Sequence, residues 1–260
     1  MNRIDRLFDE NTGEILSIYI TAGYPALNDT PTLLKALAAH GADMIEIGIP
    51  FSDPLADGPV IQHSSQIALK NGMSLDFLFK QLKDIRDSID IPLLLMGYLN
   101  PVLQMGVENF LENCRSTGID GVIIPDLPPD EYESRYRKLF QSFGIHHVLL
   151  VTPHTGTERI QRIAALSSGF LYLVSDSSTT GSKSSVAGHQ LEYFQRIQKM
   201  NLPLPSLIGF GISNHETFMA ACAYARGAII GSAFIRALAE EEDLTLDQKV
   251  KKFIGKVKGG

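Results

Sequence analysis

Residues 92–96 read Pro92-Leu93-Leu94-Leu95-Met96, a short and nearly continuous apolar run. A strand with one face in water alternates apolar and polar residues, whereas a strand of a parallel sheet covered by helices on both faces is apolar throughout. This stretch therefore predicts a buried parallel strand.

The same kind of run recurs along the chain, and each run is followed by a turn and a segment with helical periodicity. The eight predicted strands are Leu16–Thr21, Met44–Ile47, Pro92–Met96, Gly121–Ile124, His147–Val151, Phe170–Val174, Ser206–Gly209 and Ala228–Ile230. Predicted helices between them include Thr32–His40, Leu75–Ser88 and Glu158–Leu166. The alternation favours an α/β fold, a closed (β/α)8 TIM barrel, although an open doubly wound sheet has a similar pattern.

Length and composition agree with a barrel. The chain has 260 residues, and an eightfold barrel typically has roughly 250. No linker or charge block marks a boundary, so residues 1–260 are expected to form a single domain. The long polar loop Ser175–Gly188 follows the sixth strand, where a lid over the active site is expected.

Charge and segment composition exclude several functions. The net charge of −6 argues against a nucleic-acid or anionic-membrane surface as the main partner. No apolar run approaches a membrane span and no signal segment opens the chain, so a cytoplasmic protein is expected. The histidines form no metal-binding cluster, so no metal is expected.

Two carboxylates near the second strand are the candidate catalytic groups. Glu46 lies within an apolar strand, and Asp57 lies in the loop that follows it. If Glu46 points into the barrel, desolvation raises its pKa and suits it to acid–base chemistry. Otherwise it faces outward, toward a basic residue on a helix. Asp53 is a third acid, with a turn before Pro54 as its simpler explanation.

Glycine-rich turns follow the last two predicted strands, as Gly209-Phe210-Gly211 and Gly231-Ser232. Backbone N–H groups in such turns, with the helix N-termini behind them, bind phosphate in barrel enzymes. Gly181 has no side chain and would allow the backbone to approach a phosphate closely at a further position. Each glycine also has a simpler explanation as a tight turn.

Three tyrosines fall at predicted strand ends, at Tyr19, Tyr98 and Tyr172. Together they are candidates to line an aromatic substrate pocket. Singly, each is equally compatible with packing in the barrel.

The stretch from Glu46 to Pro59, EIGIPFSDPLADGP, closely resembles the signature of tryptophan synthase alpha chains. The resemblance extends over nearly the whole chain, through Tyr19–Gly23, Met96–Pro101, Ile124–Pro128, Gly209–Ser213 and Gly231–Ala233.

The resemblance implies retro-aldol cleavage of indole-3-glycerol phosphate to indole and glyceraldehyde 3-phosphate. Glu46 matches the family's general acid–base. Asp57 matches the carboxylate that holds the indole N–H and stabilises positive charge on the ring. The matching substrate-binding positions are Tyr19, Tyr98, Ile123 and Tyr172 for indole, Thr180 for the closed lid, and Gly181, Phe210, Gly211, Gly231 and Ser232 for phosphate.

The resemblance also implies a partner, the tryptophan synthase beta chain, in an alpha-beta-beta-alpha heterotetramer. Pyridoxal phosphate then belongs to the beta chain, and this chain carries no cofactor. The positions that match the partner-facing regions are Asp53, Asn100, Pro101, Asp126 and Pro128.

The sixth loop departs from the family pattern, because Asp176 adds negative charge and Ser178 replaces a glycine. Two alternatives to the lyase are open. One is a barrel that has lost catalysis and mainly activates a beta chain. The other is a sugar-phosphate isomerase or epimerase, but the catalytic Lys, His–Glu pair or metal site usual for those enzymes is not evident.

Overall fold

The computed structural model describes residues 1–175, 188–209, 211–240 and 243–260. Its eight parallel strands are β1 Ile15–Thr21, β2 Met44–Gly48, β3 Leu93–Met96, β4 Gly121–Ile123, β5 His146–Val151, β6 Leu171–Val174, β7 Ser206–Gly209 and β8 Gly227–Ile230. Each strand pairs with the next one along the chain, and β8 pairs with β1 to close the barrel. The predicted barrel is confirmed, and the closure excludes an open sheet.

The helices surround the barrel. They are α1 Arg3–Glu10, α2 Thr30–His40, α3 Pro59–Lys70, α4 Leu75–Leu82, α5 Leu99–Met105, α6 Val107–Ser116, α7 Pro129–Glu131, α8 Arg137–Phe143, α9 Thr157–Leu166, α10 Gly188–Lys199, α11 His215–Cys222, α12 Ser232–Ala239 and α13 Leu246–Lys258. A π-helical turn, Tyr132–Tyr136, joins α7 to α8. No helix in the described ranges combines the length and the apolar character that crossing a membrane requires.

The predicted strand boundaries differ from the observed ones by at most one residue at either end. The predicted helix Leu75–Ser88 is too long, because α4 ends at Leu82 and a separate 3-10 turn spans Ile85–Asp87. In that turn the Arg86 guanidinium donates to the carbonyl oxygens of Ile91 and Gly118. The contact with Gly118 is long-range, and together with the local contact to Ile91 it outweighs the preference for a continuous helix.

Two apolar layers hold the barrel together. Between strands and helices, outward-facing residues such as Ile18, Ile45 and Leu95 are fully buried. Inside the barrel, the core cluster contains Met44, Leu94, Ile123, Val148, Tyr172, Leu207 and Ile229. Helix α1 places Ile4 and Phe8 in this inner cluster and closes the amino-terminal end of the barrel. The opposite end, where the strands terminate, remains for a site.

Candidate active site

A cavity of about 640 Å³ lies at the carboxyl ends of the strands. Its lining residues come mainly from strand ends and from the loops after β2, β7 and β8; they are Tyr19, Leu55, Ala56, Asp57, Gly58, Pro59, Val60, Ile61, Met96, Tyr172, Gly211, Ile212, Ser213, Ile229, Gly231, Ser232, Ala233 and Arg236. This is the end of the barrel at which TIM-barrel enzymes carry their active sites.

Glu46 on β2 is fully buried inside the barrel. Its Oε1 accepts a hydrogen bond of 3.0 Å from the Ser17 hydroxyl, and its Oε2 has no partner among the described residues. Burial raises the pKa of this carboxyl to about 8, and the Ser17 hydrogen bond opposes that rise. A carboxyl with such a pKa exchanges protons near neutral pH.

Asp57 lies half-buried in the loop between β2 and α3, in the wall of the cavity. Burial raises its pKa, and a hydrogen bond with Tyr98 lowers it. The Tyr98 hydroxyl also accepts a 3.0 Å hydrogen bond from the backbone N–H of Ala56, and its ring stacks on Phe51. Tyr98 thereby ties the Asp57 loop to the end of β3.

Tyr19 and Tyr172 are buried and both line the cavity. Each occupies space that a glycine on the next strand leaves open. A methyl group added to Gly48 would overlap the Tyr19 hydroxyl, and one added to Gly209 would overlap the Tyr172 hydroxyl. Electrostatic interactions connect both tyrosines with Glu46 and Asp57, so the carboxyls and the aromatic wall form one site.

The other end of the cavity is formed by the turns after β7 and β8. Gly211 adopts a left-handed backbone with φ of 78°, and α12 begins at Ser232 directly after Gly231. The N–H groups of a first helical turn have no partner within the helix. Thr180, Gly181 and Phe210, the other residues expected here, lie outside the described residues.

Tyr98 does not line this cavity, and neither does Ile123, the remaining predicted substrate residue. Ile123 is fully buried in the inner core cluster, which also contains Tyr172. It therefore belongs to the packed interior of the barrel, in the same cluster as Tyr172.

The predicted partner-facing residues lie at the same end of the barrel, on the loops after β2 and β4 and in the first turn of α5. Asp53, Asn100, Asp126 and Pro128 are exposed, and Pro101 is half-buried. The carboxylate of Asp126 accepts a 2.9 Å hydrogen bond from the backbone N–H of Leu99, which joins the loops after β3 and β4.

The sequence interpretation missed Ser17, Met96 and Arg236. Ser17 is a small polar residue between the apolar residues Leu16 and Ile18 of β1, which the sequence shows, but its contact with Glu46 depends on how β1 pairs with β2. Arg236 comes one helical turn after Ser232, a spacing that places both on one face of α12. The described residues contain no group of three or more His, Cys, Asp or Glu placed to hold a metal.

The closed barrel, its cavity at the strand ends with Asp57 in the wall, and the buried Glu46 define the class of (β/α)8-barrel enzymes. The family model for the tryptophan synthase alpha chain matches residues 6–259. The chain belongs to the tryptophan synthase alpha chain family, and it is a lyase of tryptophan biosynthesis.

Individual relatives agree with that assignment. The chain is 57% identical to the tryptophan synthase alpha chain of Flavobacterium psychrophilum, over 92% of this chain and 94% of that one. It superposes with a TM-score of 0.87 on the alpha chain of Legionella pneumophila, at 33% identity and covering 100% of this chain and 97% of that one. A chain in the tryptophan synthase complex of Pyrococcus furiosus matches with a TM-score of 0.86 and 33% identity, over 95% of this chain and 99% of that one.

Proposed function

We propose that this chain cleaves indole-3-glycerol phosphate into indole and glyceraldehyde 3-phosphate with Glu46 as the general acid–base. The reaction delivers a proton to indole C3 and removes one from the adjacent glycerol hydroxyl. The bond between indole C3 and the glycerol carbon that carries this hydroxyl then breaks. One carboxyl that exchanges protons near neutral pH can serve both transfers.

The observation that carries this proposal is the state of the Glu46 carboxyl. It is fully buried, its pKa is raised to about 8, and its Oε2 has no hydrogen-bond partner among the described residues. A buried polar atom without a partner costs free energy, so its retention favours a chemical role over a structural one. Because the carboxyl is fully buried, it reaches substrate only when its own side chain or the neighbouring tyrosine rings move.

Asp57 is proposed to hold the indole N–H and to stabilise the positive charge that develops on the protonated ring. Its place in the cavity wall and its bond with Tyr98 support this role. A carboxylate that is already in place where positive charge develops lowers the free energy of the transition state, because it does not need to reorganise during the reaction.

The indole ring is proposed to bind against Tyr19, Tyr98 and Tyr172, with Ile123 supporting them from below. The phosphate is proposed to bind at Gly211, Gly231 and Ser232, where the start of α12 offers backbone N–H groups. The contributions of Thr180, Gly181 and Phe210 remain predictions from the sequence.

We also propose that the chain acts in the cytoplasm with a tryptophan synthase beta chain, in an alpha-beta-beta-alpha heterotetramer. Pyridoxal phosphate would be held by the beta chain and not by this one. The interface would include Asp53, Asn100, Pro101, Asp126 and Pro128. Two exposed leucines at the same end of the barrel, Leu55 and Leu103, offer apolar surface for that contact.

The test is indole release from indole-3-glycerol phosphate, measured with the purified chain alone and with a beta chain added. Slow release that the beta chain accelerates is expected. Glu46→Gln should lower kcat by about 100-fold or more, because general acid–base catalysis contributes about 10²–10⁴. Asp53→Asn, at the proposed interface, is the matched control: it should weaken the acceleration and leave release by the chain alone unchanged.

Two outcomes would overturn parts of this proposal. Substantial turnover by a folded Glu46→Gln variant would remove Glu46 from its role. A folded wild-type chain that activates the beta chain and releases no indole would indicate the regulatory alternative.

A further inference from the structure

The Ser17 hydroxyl is the one hydrogen-bond donor to the Glu46 side chain within the described part of the chain. Ser17 is fully buried on β1, and its Oγ lies 3.0 Å from Oε1 of Glu46. The strand register pairs Tyr19 with Glu46 and Ser17 with Met44. The hydroxyl therefore reaches Glu46 diagonally, from the side of the barrel's amino-terminal end.

The other groups that face Glu46 cannot replace this contact. Tyr19 from β1, Tyr172 from β6 and Asp57 from the loop after β2 share its electrostatic environment. None of them donates a hydrogen bond to Glu46 in the part of the chain that the structure describes, and no cation there pairs with it. Removal of the Ser17 hydroxyl would therefore leave both carboxyl oxygens without a partner.

We propose that Ser17 is a positioning residue for the acid–base step: it holds Oε1 of Glu46 and leaves Oε2 as the oxygen that exchanges the proton. This inference rests on the proposed role of Glu46. A carboxyl has two equivalent oxygens and rotates about its last bond, so a donor to one oxygen fixes the plane of the group. Proton transfer depends steeply on such geometry.

The hydrogen bond also sets the acidity of the carboxyl. An O–H donor stabilises the ionised form, so loss of the Ser17 hydroxyl raises the pKa of Glu46 further. Ser17 thus has two separable effects, one on orientation and one on protonation, and the second leaves a signature in the pH dependence of kcat.

The experiment measures kcat and KM for indole release from pH 5 to 10 for the wild type and for Ser17→Ala, Ser17→Thr and Glu46→Gln. Ser17→Ala should lower kcat about tenfold, with KM within twofold, because one hydrogen bond to a charged group is lost. The limb of the pH profile that belongs to Glu46 should move to higher pH. Ser17→Thr retains the hydroxyl and should restore both kcat and the profile.

Ser167→Ala is the matched control. Ser167 is also buried, and its hydroxyl bonds to the backbone of Leu149 on β5 and of Phe170 just before β6. It should lower the thermal midpoint and leave the pH profile unchanged. If Ser17→Ala does not fold, Ser17→Cys, with similar volume and a weak donor, provides the same comparison.

The outcomes separate this inference from the proposed function. A folded Ser17→Ala or Ser17→Cys variant with wild-type kcat and pH profile, beside an inactive Glu46→Gln, overturns the role of Ser17 alone. An active Glu46→Gln variant overturns the proposed function and this inference with it.

Discussion

Two buried carboxylates lie at opposite ends of the barrel and have opposite surroundings. Asp120, at the amino-terminal end of β4, accepts hydrogen bonds from Arg3 at 3.1 Å, from Arg86 at 2.5 Å and from the backbone N–H of Leu93 at 2.9 Å. Glu46, at the other end, accepts one hydrogen bond, from Ser17.

The difference shows what each end of the barrel does. The partners of Asp120 compensate for its lost hydration, so its charge joins α1, the 3-10 turn and β3. Glu46 lacks such compensation and keeps part of the cost of burial, which appears as a raised pKa. Asp120 thus stabilises the amino-terminal end of the barrel, whereas the burial of Glu46 costs free energy at the other end. This agrees with the division of TIM barrels into a stabilising and a catalytic face.

The largest expected effect on stability comes from Asp120→Asn. It leaves Arg86 without its buried counter-charge, whereas Arg3 keeps its pair with Asp90. Loss of one partner of a buried pair costs about 3–5 kcal/mol. Urea unfolding should show that loss, while kcat of the folded protein stays within twofold. Glu112→Gln, in an exposed pair with Arg115, is the control and should have a much smaller effect. A loss for Asp120→Asn below about 1 kcal/mol would break the comparison.

Glu46→Gln should change the pH dependence of stability. Because the folded pKa of about 8 exceeds the unfolded value of 4.5, the folded state binds the extra proton between those values. The stabilisation that this proton gives to the folded state is complete below about pH 4.5, declines as the pH rises toward 8, and is absent above pH 8. The wild type should therefore lose up to about 1.4 kcal/mol per pH unit in this window relative to the variant. If the free energies of unfolding of the wild type and the variant instead change in parallel from pH 5 to 8, the pKa of Glu46 is not raised in the folded state.

A pair of glycine substitutions should give the smallest effects and compares the two ends directly. Gly48→Ala displaces the Tyr19 hydroxyl, so we expect a loss of about 1–3 kcal/mol and about tenfold lower kcat. In Gly121→Ala the nearest atom is Cδ1 of Ile4 at 2.9 Å, the end of a flexible side chain. That variant should lose less stability and keep its kcat. Equal kcat values for the two variants would remove the distinction between the faces.

Much of the fold was predictable because its signal is local. Eight apolar runs predict eight strands, since a strand covered on both faces needs no alternation, as at Leu93-Leu94-Leu95. Helix Leu75–Ser88 was predicted too long because one of the contacts that Arg86 makes beyond α4, with the carbonyl oxygen of Gly118, comes from a distant part of the chain.

The candidate site divides in the same way. Glu46 and Asp57 stand out in the sequence because carboxylates are unusual in and beside an apolar strand. The sequence does not show their chemical surroundings. The direction in which Glu46 points and the group that donates a hydrogen bond to it depend on barrel closure and strand register.

The sequence by itself determined the order of strands and helices, the carboxylates and the glycine turns, because periodicity and residue type are local properties of the chain. Only the tertiary structure decided that Ser17 bonds to Glu46 and that Tyr19 occupies the space above Gly48. The same holds for Asp120, which meets two arginines that the sequence places 117 and 34 residues away. The physical reason is that burial and hydrogen bonding depend on distances in space, which are set only when β8 closes on β1.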